Sequence, residues 1–187
     1  MAEPDAADFL RICRLPGAWS RQPAWRLLDT CFGNAARFLG VWEAWQQDPD
    51  RPALLHYVGL SQQALLPELL LGAAHQTPGR RALASALAEQ CQGLGPGFHR
   101  ISLHHGQLLL TLCVGELQPL LRQQRFDADA IFLDPGPAGL VEGAPWNLFG
   151  IKADSRWRGE TLILQTKEFI RGQWVVVPAK WRKYASW

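Results

Sequence analysis

Two short stretches carry side chains whose types and spacing suit group-transfer chemistry. The first, Asp29-Thr30-Cys31-Phe32-Gly33-Asn34-Ala35, places an acid and a glycine-bearing turn between the apolar run Trp25-Arg26-Leu27-Leu28 and a helix-spaced segment. At the carboxyl end of a strand, such a turn lets bare main chain approach a cofactor. An acid followed by Gly-x-Gly-x-Gly is the usual S-adenosylmethionine form of this turn; here the central Gly33 remains. The second stretch is Asp134-Pro135-Gly136-Pro137, which follows the apolar run Ala130-Ile131-Phe132-Leu133. A strand-end carboxylate and the carbonyls of a Pro/Gly loop can accept N–H bonds from a bound group, orient it and help remove a proton.

The elements that must hold these stretches read as strands alternating with helices. After the first turn, Phe38, Leu39, Val41, Trp42 and Trp45 recur at helical spacing until Asp48-Pro49-Asp50-Arg51-Pro52 breaks the pattern. Trp42 and Trp45 are expected to face the core. Residues 54–60 form a continuous apolar run of buried-strand type, 62–74 read as a helix, and 81–90 as another. His99-Arg100-Ile101-Ser102-Leu103 and Gln107-Leu108-Leu109-Leu110-Thr111-Leu112 flank His104-His105-Gly106, a hairpin signal with a solvated tip. His99 reads as a structural hydrogen-bonder. Residues 116–125 suit a helix, 128–133 a strand, 135–145 a loop, 146–153 a short helix and 161–166 a last clear strand. Trp174-Val175-Val176-Val177 suits an edge strand. This alternation predicts an open, mostly parallel, three-layer α/β sheet.

Composition narrows the class. The 187 residues are 48% hydrophobic and 19% charged, enough for a packed single domain and contrary to global disorder. No apolar run approaches the roughly 20 residues of a membrane helix, and the acidic N-terminus precedes no signal-type apolar core. A cytoplasmic protein with no membrane partner is expected. Cys13, Cys31, Cys91 and Cys113 are widely spaced, which predicts reduced thiols and no zinc ribbon. With 19 basic and 17 acidic residues, net charge alone does not announce nucleic acid. Arg80, Arg81, Arg122 and Arg125 suit nucleic-acid phosphate contacts but read better as solvated. The tail Lys180-Trp181-Arg182-Lys183-Tyr184 reads as packed, or as contacting RNA or a partner.

Several segments resemble one family in order and at compatible spacing. Cys31-Phe32-Gly33-Asn34-Ala35-Ala36-Arg37-Phe38-Leu39 resembles the Gly-Phe-Gly-Thr-Gly-Leu-Asn-Phe-Leu turn and helix of the methyltransferase domain in the bifunctional enzymes that make 5-methylaminomethyl-2-thiouridine in tRNA. Leu55-His56-Tyr57-Val58-Gly59-Leu60 is similar to that family's second strand. Pro96-Gly97-Phe98-His99-Arg100-Ile101, then Leu110-Thr111-Leu112 and Gly115-Glu116, resembles its hairpin and strand end. Asp129-Ala130-Ile131-Phe132-Leu133-Asp134, with Pro137-Ala138 and Trp146, resembles its Asp-Ala-x-Phe-Leu-Asp stretch. The match spans about residues 24–166, leaving 1–23 as a lead-in and 167–187 as a divergent basic and aromatic tail.

The resemblance implies a Rossmann-like S-adenosylmethionine-dependent methyltransferase fold with an inserted hairpin, acting on the aminomethyl group of the wobble base in tRNA. It places the cofactor on Asp29, Cys31, Gly33, Asn34, Ser61 and Glu116, and the amine on Asp134, Pro135, Gly136 and Pro137. A flavin domain such as the bifunctional members carry is not expected of this chain. Departures from the family pattern have physical meaning, Ala35 for the last glycine being the mildest. Cys31 puts a side chain where glycine lets the chain pass beneath the cofactor. Ser61 exchanges a ribose-gripping carboxylate for a neutral hydroxyl, and Glu116 lengthens the arm toward the adenine amine. The alternative expectation is therefore a non-catalytic homologue that keeps the fold as a binding or partner module. An exposed sheet edge would serve a protein partner or a homodimer.

Overall fold

The computed structural model describes the backbone of residues 6–7, 10, 15–73, 78–116, 126–132, 151–158, 161–170 and 173–176. Its principal sheet joins β1 (Ala24–Asp29), β2 (Leu54–Ser61), β3 (Gly97–Leu103), β4 (Leu108–Val114) and β6 (Ala130–Phe132) in the order β3-β4-β2-β1-β6. The pairs β4-β2, β2-β1 and β1-β6 are parallel; β3 pairs antiparallel with β4. The hairpin therefore ends in a strand that is itself a parallel member of the sheet. The fold is α/β with a mixed, mostly parallel principal sheet, as the alternating sequence pattern predicts.

Helix α1 (Ala36–Gln47) follows β1 and covers the sheet. Residues 37–42 are all buried, along with Trp45, because the helix is enclosed on more than its sheet-facing side. Gly40 is where the lead-in crosses: a Cβ there would overlap the side chain of Ala6. Helix α1 stops at Asp48, whose extended backbone precedes Pro49. Trp42 and Trp45 lie in the core as expected, and the Trp45 indole donates to the Pro52 carbonyl at 3.0 Å. Helix α3 (Pro78–Gln90) packs in the same core through Ala84, Leu87 and Ala88. Arg80 ties it to Glu43 of α1 at 2.7 Å.

Several boundaries differ from the sequence expectation. The segment 62–74 is helical only from Pro67 to Ala73 (α2), since proline suits the first helical position and cannot extend a helix through the residues before it. Residues 128–133 do not form one strand. Asp129 interrupts them: its amide donates to the Arg26 carbonyl and its carboxylate accepts from the Arg26 amide at 3.0 Å. The chain thus divides into β5 (Phe126–Ala128) and β6, which belong to different sheets. A helix over 146–153 is also incorrect for its last three residues, because β7 spans Ile151–Arg158. β7 joins β8 (Thr161–Ile170), β9 (Gln173–Val176) and β5 in an antiparallel sheet of order β5-β7-β8-β9. β8 runs four residues beyond the expected limit at 166, and β9 confirms a strand at 174–176 at the end of that sheet. The expected helix at 116–125 lies, apart from Glu116, outside the described residues.

The described part of the lead-in contributes to the core. Trp19 is fully buried, and its indole donates to the Asp48 carboxylate at 2.6 Å, tying the segment to the loop after α1. Leu15 and Ala6 are buried with it.

Candidate functional site

The carboxyl ends of β4, β2 and β1 stand side by side: Ser61 is level with Val114, and Asp29 with Gly59. The loops leaving these ends carry six of the sequence-predicted cofactor residues. The Gly115 amide, at the end of β4, donates to the Ser61 carbonyl at 2.8 Å, so two of the loops are linked by main chain.

The turn after β1 is built over β2. The Phe32 amide donates to the Leu60 carbonyl at 2.9 Å, and the buried Phe32 ring lies on Gly59, where any Cβ would overlap it. That ring also packs edge-on to Tyr57 at 6.0 Å and against Phe38 at 5.8 Å. Gly33 has φ 54° and is exposed. Ala35, at φ 65°, keeps a left-handed conformation in which a Cβ is strained by about 1–2 kcal/mol. Its amide returns to the Phe32 carbonyl at 2.9 Å, and the Asn34 side chain accepts from the Ala36 amide at 3.1 Å. Asn34 thus satisfies one of the amides that α1 leaves unpaired at its start. Among the described residues, the amides of Gly33 and Asn34 donate to no other group of the chain. Exposed amides at a helix start form a donor-rich, locally positive surface.

Asp29 lies beneath the turn, 1% exposed. Its carboxylate accepts from the Cys31 amide at 2.9 Å and the Tyr57 hydroxyl at 2.7 Å. The buried guanidinium of Arg37 approaches it at 3.3 Å and also donates to the Cys31 carbonyl. Burial of both charges costs much less when each has its counter-charge and hydrogen bonds. From the sequence, Arg37 stands only as a helix residue. An arginine on the otherwise apolar face of α1, eight residues after a strand-end acid, was the available signal.

Ser61 is half-buried, and its hydroxyl donates to the Gln63 carbonyl at 2.7 Å. Cys31 is half-buried, and Glu116 is exposed at the end of β4. The structure thus gathers Asp29, Cys31, Gly33, Asn34, Ser61 and Glu116 at one end of the sheet. Asp134, Pro135, Gly136 and Pro137, the expected amine-binding residues, lie outside the described residues, as do Arg122, Arg125 and the basic tail.

Other side chains are accounted for elsewhere. His99 binds the Gly95 carbonyl at 2.7 Å, a structural role as expected. His104 is not a solvated tip residue: its ring meets Trp45 edge-on at 5.1 Å and its Nδ1 lies 3.3 Å from the Gln46 amide nitrogen. His105 is exposed. Burial pushes the Cys91 and Cys113 thiols up to about 11, which suppresses the reactive thiolate. Among the described residues, no cluster of three or more His, Cys, Asp or Glu side chains could hold a metal. No helix there is long and apolar enough to cross a membrane.

No family model matches the chain. Curated relatives do. The chain is 44% identical over 169 residues to a protein of Albidiferax ferrireducens, an alignment covering 87% of this chain and 28% of the relative. It is 46% identical over 126 residues to one from Delftia acidovorans (67% and 20%), and 43% identical over 162 residues to one from Verminephrobacter eiseniae (80% and 25%). All three are named tRNA 5-methylaminomethyl-2-thiouridine biosynthesis bifunctional protein MnmC. The chain therefore spans about a quarter of the length of these relatives. A crystal structure of MNMC2 from Aquifex aeolicus aligns with a TM-score of 0.48 and 17% identity, over 68% of this chain and 38% of that one.

Proposed function

We propose, on the premise that this chain is a homologue of the MnmC bifunctional proteins over most of its own length, that it is an S-adenosylmethionine-dependent methyltransferase domain. Its acceptor in this reading is the aminomethyl group of wobble 5-aminomethyl-2-thiouridine in tRNA. The observation that carries the reading is the turn after β1. Gly33 is left-handed and exposed, and its amide and that of Asn34 are unclaimed within the described chain at the start of α1.

These residues fit the cofactor at one end better than at the other. Two free amides suit the carboxylate of a methionine moiety, while the resemblance assigns Glu116 to the adenine and Ser61 to the ribose. Bound there, S-adenosylmethionine supplies a methyl group made electrophilic by its sulfonium. Asp29 supports the turn from beneath through the Cys31 amide. Asp134, with the carbonyls of Pro135, Gly136 and Pro137, accepts the N–H bonds of the acceptor amine, orients its lone pair and receives its proton.

Calorimetry with S-adenosylmethionine and S-adenosylhomocysteine tests the first step. Binding is expected, and no heat at millimolar ligand with folded protein refutes the enzyme reading. Given binding, Asp134→Ala should abolish methyl transfer to hypomodified tRNA with cofactor affinity nearly unchanged. Equal loss of both refutes the role of Asp134.

The second reading is a non-catalytic homologue acting as a partner module. It is favoured by the ribose end, where the Ser61 hydroxyl is turned onto its own loop at Gln63. A folded protein that binds neither adenosyl ligand would leave this reading standing.

A further inference from the structure

Position 37 is where the chain departs from the resembling motif most consequentially. The motif carries Asn there; this chain carries Arg, buried to within 4% of full enclosure. Its guanidinium bridges the two sides of the turn, from the Asp29 carboxylate at 3.3 Å to the carbonyl of Cys31. The same carboxylate holds the Cys31 amide, so the Cys31 residue is gripped at its N–H by Asp29 and at its C=O by Arg37. Tyr57 closes the arrangement from β2 at 2.7 Å.

Two consequences follow from electrostatics. The turn is fixed in advance, because rotating the peptide plane after Cys31 would strip a buried guanidinium of an acceptor. The charge of Asp29 is also cancelled at close range. A buried carboxylate under a cofactor turn would by itself favour cationic ligands, and a guanidinium beside it reduces the distant field to that of a dipole.

We propose that Arg37 is the positioning residue of this turn and sets its charge selectivity, holding Cys31 in place and withholding the negative charge of Asp29 from a sulfonium. The selectivity half rests on the proposed adenosyl ligand; the positioning half does not.

The test compares S-adenosylmethionine, a sulfonium, with the neutral thioether S-adenosylhomocysteine by calorimetry on the full chain. Arg37→Gln should shift the affinity ratio toward the sulfonium by about tenfold, the scale of one screened unit charge acting through the protein. Arg37→Lys keeps the charge and should leave the ratio as in the parent. The double variant Asp29→Asn/Arg37→Gln, which buries no unpaired charge, should also return it. Equal weakening of both ligands by Arg37→Gln, with the ratio fixed, overturns the selectivity. Should Arg37→Gln fail to fold, the single variant Asp29→Asn, leaving Arg37 uncompensated, should shift the ratio toward the thioether; an unchanged ratio overturns the proposal.

Hydrogen exchange of the Cys31 and Phe32 amides reads the positioning half without any ligand. Arg37→Lys, which cannot span both acceptors with a planar fork, should speed these amides about tenfold or more relative to the Tyr57 amide. Equal acceleration at all three sites would mark a merely structural residue and overturn the proposal. If the parent binds neither adenosyl compound, the proposed function fails, and the exchange result alone decides whether Arg37 positions the turn.

Discussion

The ring of Phe32 fills the space that a side chain on Gly59 would need. This seats the turn of β1 on the neighbouring strand instead of leaving it as a free loop, and the Phe32 amide bond to Leu60 fixes the register. A rigid seat keeps Gly33 and Asn34 presented at the sheet end while their amides remain unbonded within the described chain. Phe32→Ala should therefore cost about 3–5 kcal/mol of stability, the range for emptying a buried aromatic site.

Gly59→Ala should destabilise by about 1–3 kcal/mol through overpacking against that ring. Because both changes act on one contact, Gly59→Ala should cost less in the Phe32→Ala background than in the parent. Urea unfolding of the four proteins measures the coupling, and strict additivity would show that the ring does not bear on Gly59.

Two glycines should respond oppositely to alanine. Gly33→Ala places a Cβ in a left-handed conformation and should cost about 1–2 kcal/mol. Gly72, exposed in α2, has no neighbouring atom within 4 Å of an added Cβ. There Gly72→Ala should stabilise by about 0.5–1 kcal/mol, through helix propensity alone. Thermal unfolding distinguishes the two; a loss at Gly72 comparable to that at Gly33 would contradict the assigned conformations.

Much of this arrangement was legible in the sequence, and the parts that were not share a cause. The continuous apolar runs of β2 and β4, and the helical spacing from Phe38 to Trp45 in α1, mark buried elements in the sequence itself. The alternating pattern also foretold that the candidate residues share the strand carboxyl ends, where ligands meet α/β sheets. Trp19 was not legible as core, because a lone aromatic among turns has no period, and its burial depends on a distant partner, Asp48. The division at Asp129 was hidden for a similar reason: its bonds reach 103 residues back to Arg26. Arg37 was visible as a residue but not as a clamp, since its partners Asp29 and Cys31 face it only once β1 and α1 have packed. The helix expected over 151–153 failed where local propensity is outweighed by pairing with β8.

The pH response should centre on His56. Burial, then the nearby charges of Arg100 and Arg26, lower its pKa below the usual value near 6.5. Its ring lies 2.9 Å from the Thr111 hydroxyl, on the sheet between those arginines. A lowered folded-state pKa means the unfolded chain takes up the proton first as pH falls. The stability contributed is thus fully present above pH 6.5 and is lost as pH drops through the folded-state value. His104, whose pKa burial also lowers, with Arg51 and His105 adding to it, acts in the same direction. Arg100→Gln should raise the His56 pKa in an NMR titration and reduce the loss of melting temperature between pH 7.5 and 5.5. An unmoved pKa would remove Arg100 from the cause.

On the proposed function, Ser61 offers the sharpest test of whether the ribose end limits cofactor binding. Its hydroxyl is spent on the Gln63 carbonyl, within its own loop. A carboxylate at this strand end would accept two charge-assisted bonds from vicinal ribose hydroxyls, each stronger than a neutral one by about 1 kcal/mol. Ser61→Glu should therefore tighten S-adenosylmethionine and S-adenosylhomocysteine alike, by about ten- to a hundredfold, because both carry the same ribose. Cys31→Gly should act separately, by removing side-chain bulk from the turn, and the gains should add if the two sites touch different parts of the ligand. Control titrations with 2′-deoxyadenosyl analogues should show little gain from Ser61→Glu. Equal gains with the deoxy ligands would mean that the added carboxylate works through the loop and not through the ribose.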